Sequence, residues 1–286
     1  MIRPATAVVC ATLLATLCFV SLLCTAQTIQ DRYVDVEGSR VHITESGAKA
    51  PAVVFESGMG EDVATWNDVQ PQVSQFAHTF AYDRPGIGKS APLPHTRTMP
   101  EMAAGLHAVL HAAGIQPPYI LVGHSLGGAL VLLFAHAYPK EVAGLVLVDP
   151  ADPRLDERLR SHMSAADWTA REKALDEAMP AMSPTVKGEL AACQKSAEDL
   201  AKAFPLPAVP TVLLTGTKKN PEFPGNPLEQ DLKLELHNEL MAKVPHGKHV
   251  LVPNSRHYIQ NDAPEEVIKA IREVAGQIPV AGAKKH

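Results

Sequence analysis

A single α/β domain built on a mostly parallel, doubly wound sheet is predicted by three features of this chain. Strand-like and helix-like segments alternate over residues 52–148, the central strands are continuous apolar runs, and the pattern resumes after a strandless interval at 150–207. Continuous apolar runs are what strands need when helices cover both faces of their sheet. At 286 residues the chain can hold one large core with an inserted cap. The expectation is eight strands, with a helical cap inserted after the sixth.

Each element has its own signal. Tyr33-Val34-Asp35-Val36 and Arg40-Val41-His42-Ile43-Thr44 alternate in polarity about Glu37-Gly38-Ser39, the pattern of an antiparallel hairpin. Ala52-Val53-Val54-Phe55-Glu56 is a continuous apolar strand, a short helical pattern covers 66–76, and Thr79-Phe80-Ala81-Tyr82 is the next strand. Residues 99–113 form a helix with Met102, Leu106, Val109, Leu110 and Ala113 on one face. Strand Tyr119-Ile120-Leu121-Val122, a helical run to Tyr138 and strand Gly144-Leu145-Val146-Leu147-Val148 complete the first half.

The rhythm then breaks. Residues 150–207 offer only helical segments, interrupted by Pro153, Pro180, Pro184 and Pro205. The sheet resumes with Thr211-Val212-Leu213-Leu214-Thr215, a helix over 227–243 and strand His249-Val250-Leu251-Val252. Asp262-Ala263-Pro264-Glu265 reads as an N-cap ahead of a buried stripe of Val267, Ile268, Ile271, Val274 and Ile278. The expected division is a core of 27–149 and 209–279, a cap of 150–208 and a loose tail of 280–286.

Residues 1–26 read as a signal peptide. Met1-Ile2-Arg3 is a short positive region, 5–23 are apolar, and Cys24-Thr25-Ala26 places small side chains ahead of a cut before Gln27. Export to the periplasm or the medium follows, and an uncleaved membrane anchor is the competing expectation, because the apolar stretch is just long enough to span a bilayer. Cleavage removes Cys10, Cys18 and Cys24, so Cys193 alone remains and no internal disulfide can form. In a Met- and Ala-containing helical segment, Cys193 reads as a small buried hydrophobe. The formal net charge of −5, without a basic cluster, makes the chain a poor candidate for binding nucleic acid, and no nucleic-acid partner is expected.

Gly123-His124-Ser125-Leu126-Gly127 lies between an apolar strand and a helix. That is the setting of a nucleophile elbow, in which a serine sits on a strained turn and the residues two before and two after it must be small. A serine hydroxyl is a weak nucleophile. It needs a base within hydrogen-bond reach, and the base needs a third group to orient it. His257, in a loop between the last strand and the last helix, is the base expected. Asp149, ending the sixth strand before Pro150, is the acid expected, and Ser125, Asp149, His257 keeps the chain order nucleophile, acid, base.

Together with Tyr82-Asp83-Arg84-Pro85-Gly86-Ile87-Gly88-Lys89-Ser90, Phe55-Glu56-Ser57-Gly58-Met59-Gly60 and Ser255-Arg256-His257-Tyr258, this order of parts resembles the α/β-hydrolase fold superfamily over about 33–278. The resemblance implies a serine esterase-like enzyme acting on a small acyl substrate, with the backbone amides of Met59 and Leu126 as the oxyanion hole and no metal or organic cofactor. The same triad would serve an acyltransferase, peptidase or lactonase, and a non-catalytic ligand-binding member would keep the fold. Members usually carry the acid after the strand at 211–215, yet Gly216-Thr217-Lys218-Lys219-Asn220 holds no carboxylate. Glu222 and Asp152 are the alternatives to Asp149.

Three signals are set aside. Gly88-Lys89-Ser90 resembles the end of a phosphate-binding loop, but position 83 is Asp where the first Gly belongs. His107 and His111 have zinc-pair spacing without the required Glu at 108. His257 and Asp262 match an acyltransferase spacing that helix capping explains more simply. In the cap, Trp168, Leu175, Met179 and Met182 fall at near-helical spacing, and packing between cap helices is preferred to pocket lining.

Overall fold

In the computed structural model, which describes residues 28–219 and 226–278, an eight-stranded sheet runs through the protein in the order β1-β2-β4-β3-β5-β6-β7-β8. The strands are β1 (Gln30–Val36), β2 (Ser39–Ser46), β3 (Ala52–Glu56), β4 (His78–Tyr82), β5 (Tyr119–His124), β6 (Val142–Val148), β7 (Thr211–Gly216) and β8 (Lys248–Val252). β1 and β2 form the expected hairpin, β2 pairs antiparallel with β4, and every later pairing is parallel. The helices are α1 (Gln70–Val73), α2 (Met99–Ala113), α3 (Leu126–Ala137), α4 (Leu155–His162), α5 (Ala165–Ala178), α6 (Pro184–Gln194), α7 (Ala197–Lys202), α8 (Asn226–Met241), α9 (Ile259–Asp262) and α10 (Pro264–Gln277).

Strand alternation sorts the apolar side chains into two cores. Val54, Phe80, Leu121, Leu145 and Leu213 face α2 and α3, while Val53, Phe55, Ile120, Val122, Val146 and Leu214 face α1 and α10. Burial on both faces is why these strands read as unbroken apolar runs. The helical pattern at 66–76 resolves into a 3-10 turn at Val63–Trp66 and the single-turn α1. α2 begins with a full capping box between Thr98 and Glu101 and ends on Gly114 at positive φ, so its predicted span of 99–113 holds.

One boundary differs. Asp262 does not cap α10: Ala263 occupies the N-cap position, with no side-chain cap bond. The Asp262 carboxylate turns back and accepts from the Arg256 N–H and the Ser255 hydroxyl, each at 3.2 Å. The carboxylate satisfies the tight loop that carries His257, so it is not free to serve the helix.

Helices α4 to α7 stand between β6 and β7, where the strandless interval lay. Ion pairs fasten them to the core. Arg154 and Arg158 meet Glu239 of α8, and Arg171 of α5 meets Glu229 of α8 as well as Asp156 of α4. Among the described residues no helix is long and apolar enough to cross a membrane. The leader at 1–26, the tail at 280–286 and Glu222 lie outside the described residues.

Candidate active site

Ser125 follows β5 directly and is the N-cap of α3, at φ 52° and ψ −118°. That region is costly for a residue with a Cβ and persists only where the surroundings enforce it. The enforcement is visible. A Cβ on Gly123 would meet backbone of Gly127 and Gly128, and one on Gly127 would overlap the carbonyl oxygens of Glu56 and Ser57. Both glycines of the Gly-x-Ser-x-Gly turn are therefore required by close backbone approach. The Ser125 carbonyl accepts from Gly128 and Ala151, which ties the turn to the chain just past β6.

Asp149 directly follows β6, also at positive φ (45°). Its side chain is fully buried and fully used. Oδ1 accepts from the Gly216 N–H at 2.9 Å, and Oδ2 accepts from His257 Nδ1 at 2.7 Å and from Lys233 Nζ at 2.6 Å. Burial acts to raise this carboxyl, but the His257 hydrogen bond and the Lys233 charge outweigh it and bring it down to about 2. The structure thus brings Asp149 to His257. It leaves Asp152 on Arg154, at 2.6 Å.

His257 is half-buried, and its carbonyl accepts from His124 Nε2 at 3.0 Å. With Nδ1 donating to Asp149, Nε2 is the free ring nitrogen, available as an acceptor. Ser125 and His257 line one cavity of about 660 Å³ together with Met59, Asp149, Lys233 and Tyr258. No hydrogen bond closes between Ser125 Oγ and His257 Nε2 among the described residues. Such contacts tighten when substrate fills the site.

The loop at 57–60 is held from three sides. Glu61 accepts from the Gly58 N–H at 3.1 Å and pairs with His124 Nδ1 at 3.0 Å, which links the loop to the Ser125 turn. Arg84, buried, donates to the carbonyls of Ser57 and Gly58 and to Glu56 Oε1. Glu189, from cap helix α6, pairs with Arg84 Nε at 2.7 Å and accepts from the Gly60 N–H at 2.9 Å. The Met59 and Leu126 amides take no acceptor among the described residues, so two N–H donors remain beside Ser125.

This arrangement has the parts that nucleophilic acyl transfer needs: a strained serine, a carboxylate-oriented imidazole and two uncommitted amides. The family profile described as alpha/beta hydrolase fold matches residues 51–186. A solved structure of a "putative lipase (lip1)" from Acinetobacter baumannii superposes with a TM-score of 0.67 at 21% identity, over 87% of this chain and 91% of that one. The chain has the α/β-hydrolase fold.

Two relatives of this α/β hydrolase show how far sequence similarity extends. It is 27% identical over 241 residues to YqjL, an uncharacterised protein of Bacillus subtilis, covering 84% of this chain and 89% of YqjL. It is 34% identical over 139 residues to the "Putative carbamate hydrolase RutD" of Cronobacter turicensis, covering 46% of this chain and 48% of that protein.

Sequence reasoning missed four polar residues around the site of this α/β hydrolase: Lys233, His237, Arg84 and Glu189. On α8, Gln230, Lys233 and His237 are buried at helical spacing with Leu236, a polar row that faces inward once α8 is docked on the sheet. His237 is fixed by the Pro150 carbonyl at 2.9 Å and by the Thr215 hydroxyl at 2.7 Å. Burial holds it down at about 4, so it is neutral near pH 7; Nε2–H then donates to Pro150 and Nδ1 accepts from Thr215.

Cys193 is a free, half-buried thiol that lines the Ser125 cavity, raised by burial to about 11. It is less sealed from the site than a core hydrophobe. Trp168 and Leu175 line an adjoining cap cavity of about 840 Å³, which shares Arg171 and Leu190 with the first, whereas Met179 and Met182 are not among its walls. The packing reading therefore gives way for two of the four.

Proposed function

We propose that this α/β hydrolase is a serine hydrolase that cleaves a carboxylic ester through an acyl-enzyme. The observation that carries the proposal is the 2.7 Å bond from His257 Nδ1 to the buried Asp149 carboxylate, with Ser125 on the same cavity. Ser125 Oγ attacks the ester carbonyl as His257 Nε2 takes its proton. The carbonyl oxygen, now an oxyanion, is met by the amides of Met59 and Leu126. His257 returns the proton to the leaving alkoxide as the C–O bond breaks, and a water activated by the same nitrogen then hydrolyses the acyl-enzyme.

Asp149 orients the ring and stabilises the imidazolium that forms in each half-reaction. A serine at the turn supports acyl transfer over reactions that need a carboxylate nucleophile there. The leader-like residues 1–26 support export as part of the proposal.

The apolar walls of the cap cavity, Leu159, Met163, Trp168 and Leu228 among them, suit the hydrophobic portion of a substrate. Pre-steady-state hydrolysis of p-nitrophenyl esters of increasing acyl length tests the reading. A burst of p-nitrophenol stoichiometric with enzyme, lost in Ser125→Ala, is expected. Turnover of these esters that survives Ser125→Ala would refute it.

A further inference from the structure

Lys233 is buried against the site and has no part in the reaction just described. Its side chain is 10% exposed, and its Nζ shares with His257 Nδ1 a single oxygen, Asp149 Oδ2. The Gly216 amide already holds Oδ1, so His257 alone would complete the carboxylate's orienting role. Burying an ammonium is costly unless it is paired, and here its partner is the carboxylate that orients His257. The placement follows from α8. Lys233 and His237 are one turn apart on one face, and His237 is anchored on Pro150 and Thr215, so α8 is fixed over the ends of β6 and β7.

We propose that Lys233 is a positioning residue of the hydrolytic site, which clamps the Asp149 carboxylate and keeps it ionised in surroundings that favour the neutral acid. This rests on the serine-hydrolase reading above. Burial pushes the Asp149 carboxyl up, and the charge of Lys233 is one of the influences that bring it down. The other titratable groups facing the pair are each engaged elsewhere or neutral. On α8, His237 is neutral near pH 7 and Glu229 pairs with Arg171. Behind the Ser125 turn, His124 pairs with Glu61, and its ring lies 4.7 Å from that of His257. Beside the His257 loop, Asp262 accepts from the Arg256 amide, and Tyr258 lies edge-on to the His257 ring. Across the cavity, Asp152 is held by Arg154 and Asp156 by Arg171. Among the described residues Lys233 is thus the ammonium in contact with Asp149.

Removing a positive charge from beside a carboxylate makes it protonate at higher pH, and the coupled Asp149–His257 pair then loses its working charge state earlier as pH falls. The test is the pH dependence of kcat/KM for a soluble ester in wild type, Lys233→Met and Lys233→Arg. In Lys233→Met the acid limb moves up by about one pH unit with KM little changed. Lys233→Arg, which keeps the charge, restores the wild-type limb. An unmoved limb in folded Lys233→Met, or an equal shift in Lys233→Arg, overturns the proposal.

Carbon-13 titration of the Asp149 carboxyl in wild type and Lys233→Met needs no activity. An Asp149 carboxyl that protonates at higher pH in folded Lys233→Met upholds the clamp, and one that titrates as in wild type overturns it. Wild-type protein with no burst and no ester turnover would instead sink the serine-hydrolase reading, while the carbon titration still answers for Lys233.

Discussion

Ser125 and Asp149 are non-glycine residues held at positive φ, at the ends of the neighbouring strands β5 and β6. Strain at two adjacent strand ends persists because the surrounding backbone leaves no room to relax. Gly127→Ala is therefore expected to destabilise the fold by about 3 kcal/mol, the upper end for overpacking, because the clashing atoms are main-chain oxygens that cannot rotate away. Chemical denaturation measures it. Asp149→Asn should lower kcat on the order of 10⁴-fold, since an amide cannot hold the imidazole in the required tautomer, while Glu222→Gln leaves kcat near wild type. Steady-state kinetics on both variants decides, and the reverse pattern would move the acid to Glu222. At this scale the meeting of Ser125, Asp149 and His257 at one cavity was legible, because the elbow spacing, an Asp-Pro strand end and a loop His each have a chemical reason to be where they are. Lys233 was not, because a lysine on a helix reads as solvated until the helix is seen to turn that face inward.

At the scale of elements, the loop at 57–60 is a junction of β3, the Ser125 turn and the cap. Arg84 ties its carbonyls to Glu56, and Glu189 reaches in from α6 to hold both Arg84 and the Gly60 amide. Burial and the Arg84 charge act oppositely on Glu56, and burial prevails, so its carboxyl is raised. Glu189→Gln keeps the shape but removes the charge that locks Arg84, so the loop that carries the Met59 amide loses definition. The expected result is a fall in kcat of about 10-fold with KM little changed, less than the 10²–10³ for loss of a donor itself. Equal effects on kcat and KM would place Glu189 in the cavity wall instead. Strand periodicity and helix caps made the core elements readable to within a few residues. The cap-to-loop bridge was not readable, because Arg84 and Glu189 are 105 residues apart and nothing local joins them. The Asp262 N-cap failed for a related reason: a nearby loop competed for the same carboxylate.

For the whole molecule, buried titrating groups set the acid limit of stability. His237 is held at about 4 against an ordinary 6.5, so between those values the unfolded chain binds the extra proton and stability falls as pH falls, by about 3 kcal/mol in all. Asp149, lowered from 3.8 to about 2, adds stability that is complete above its unfolded value and is lost as pH falls through the folded one, about 2 kcal/mol more. Urea denaturation across pH should show a decline beginning below about pH 6.5. His237→Gln should flatten its upper part. Fluorophosphonate labelling followed by peptide mass spectrometry shows whether Ser125 is the nucleophile. One adduct is expected, on Ser125, which disappears in Ser125→Ala and slows in Asp149→Asn. Folded wild-type protein that stays unlabelled at Ser125 would rule Ser125 out.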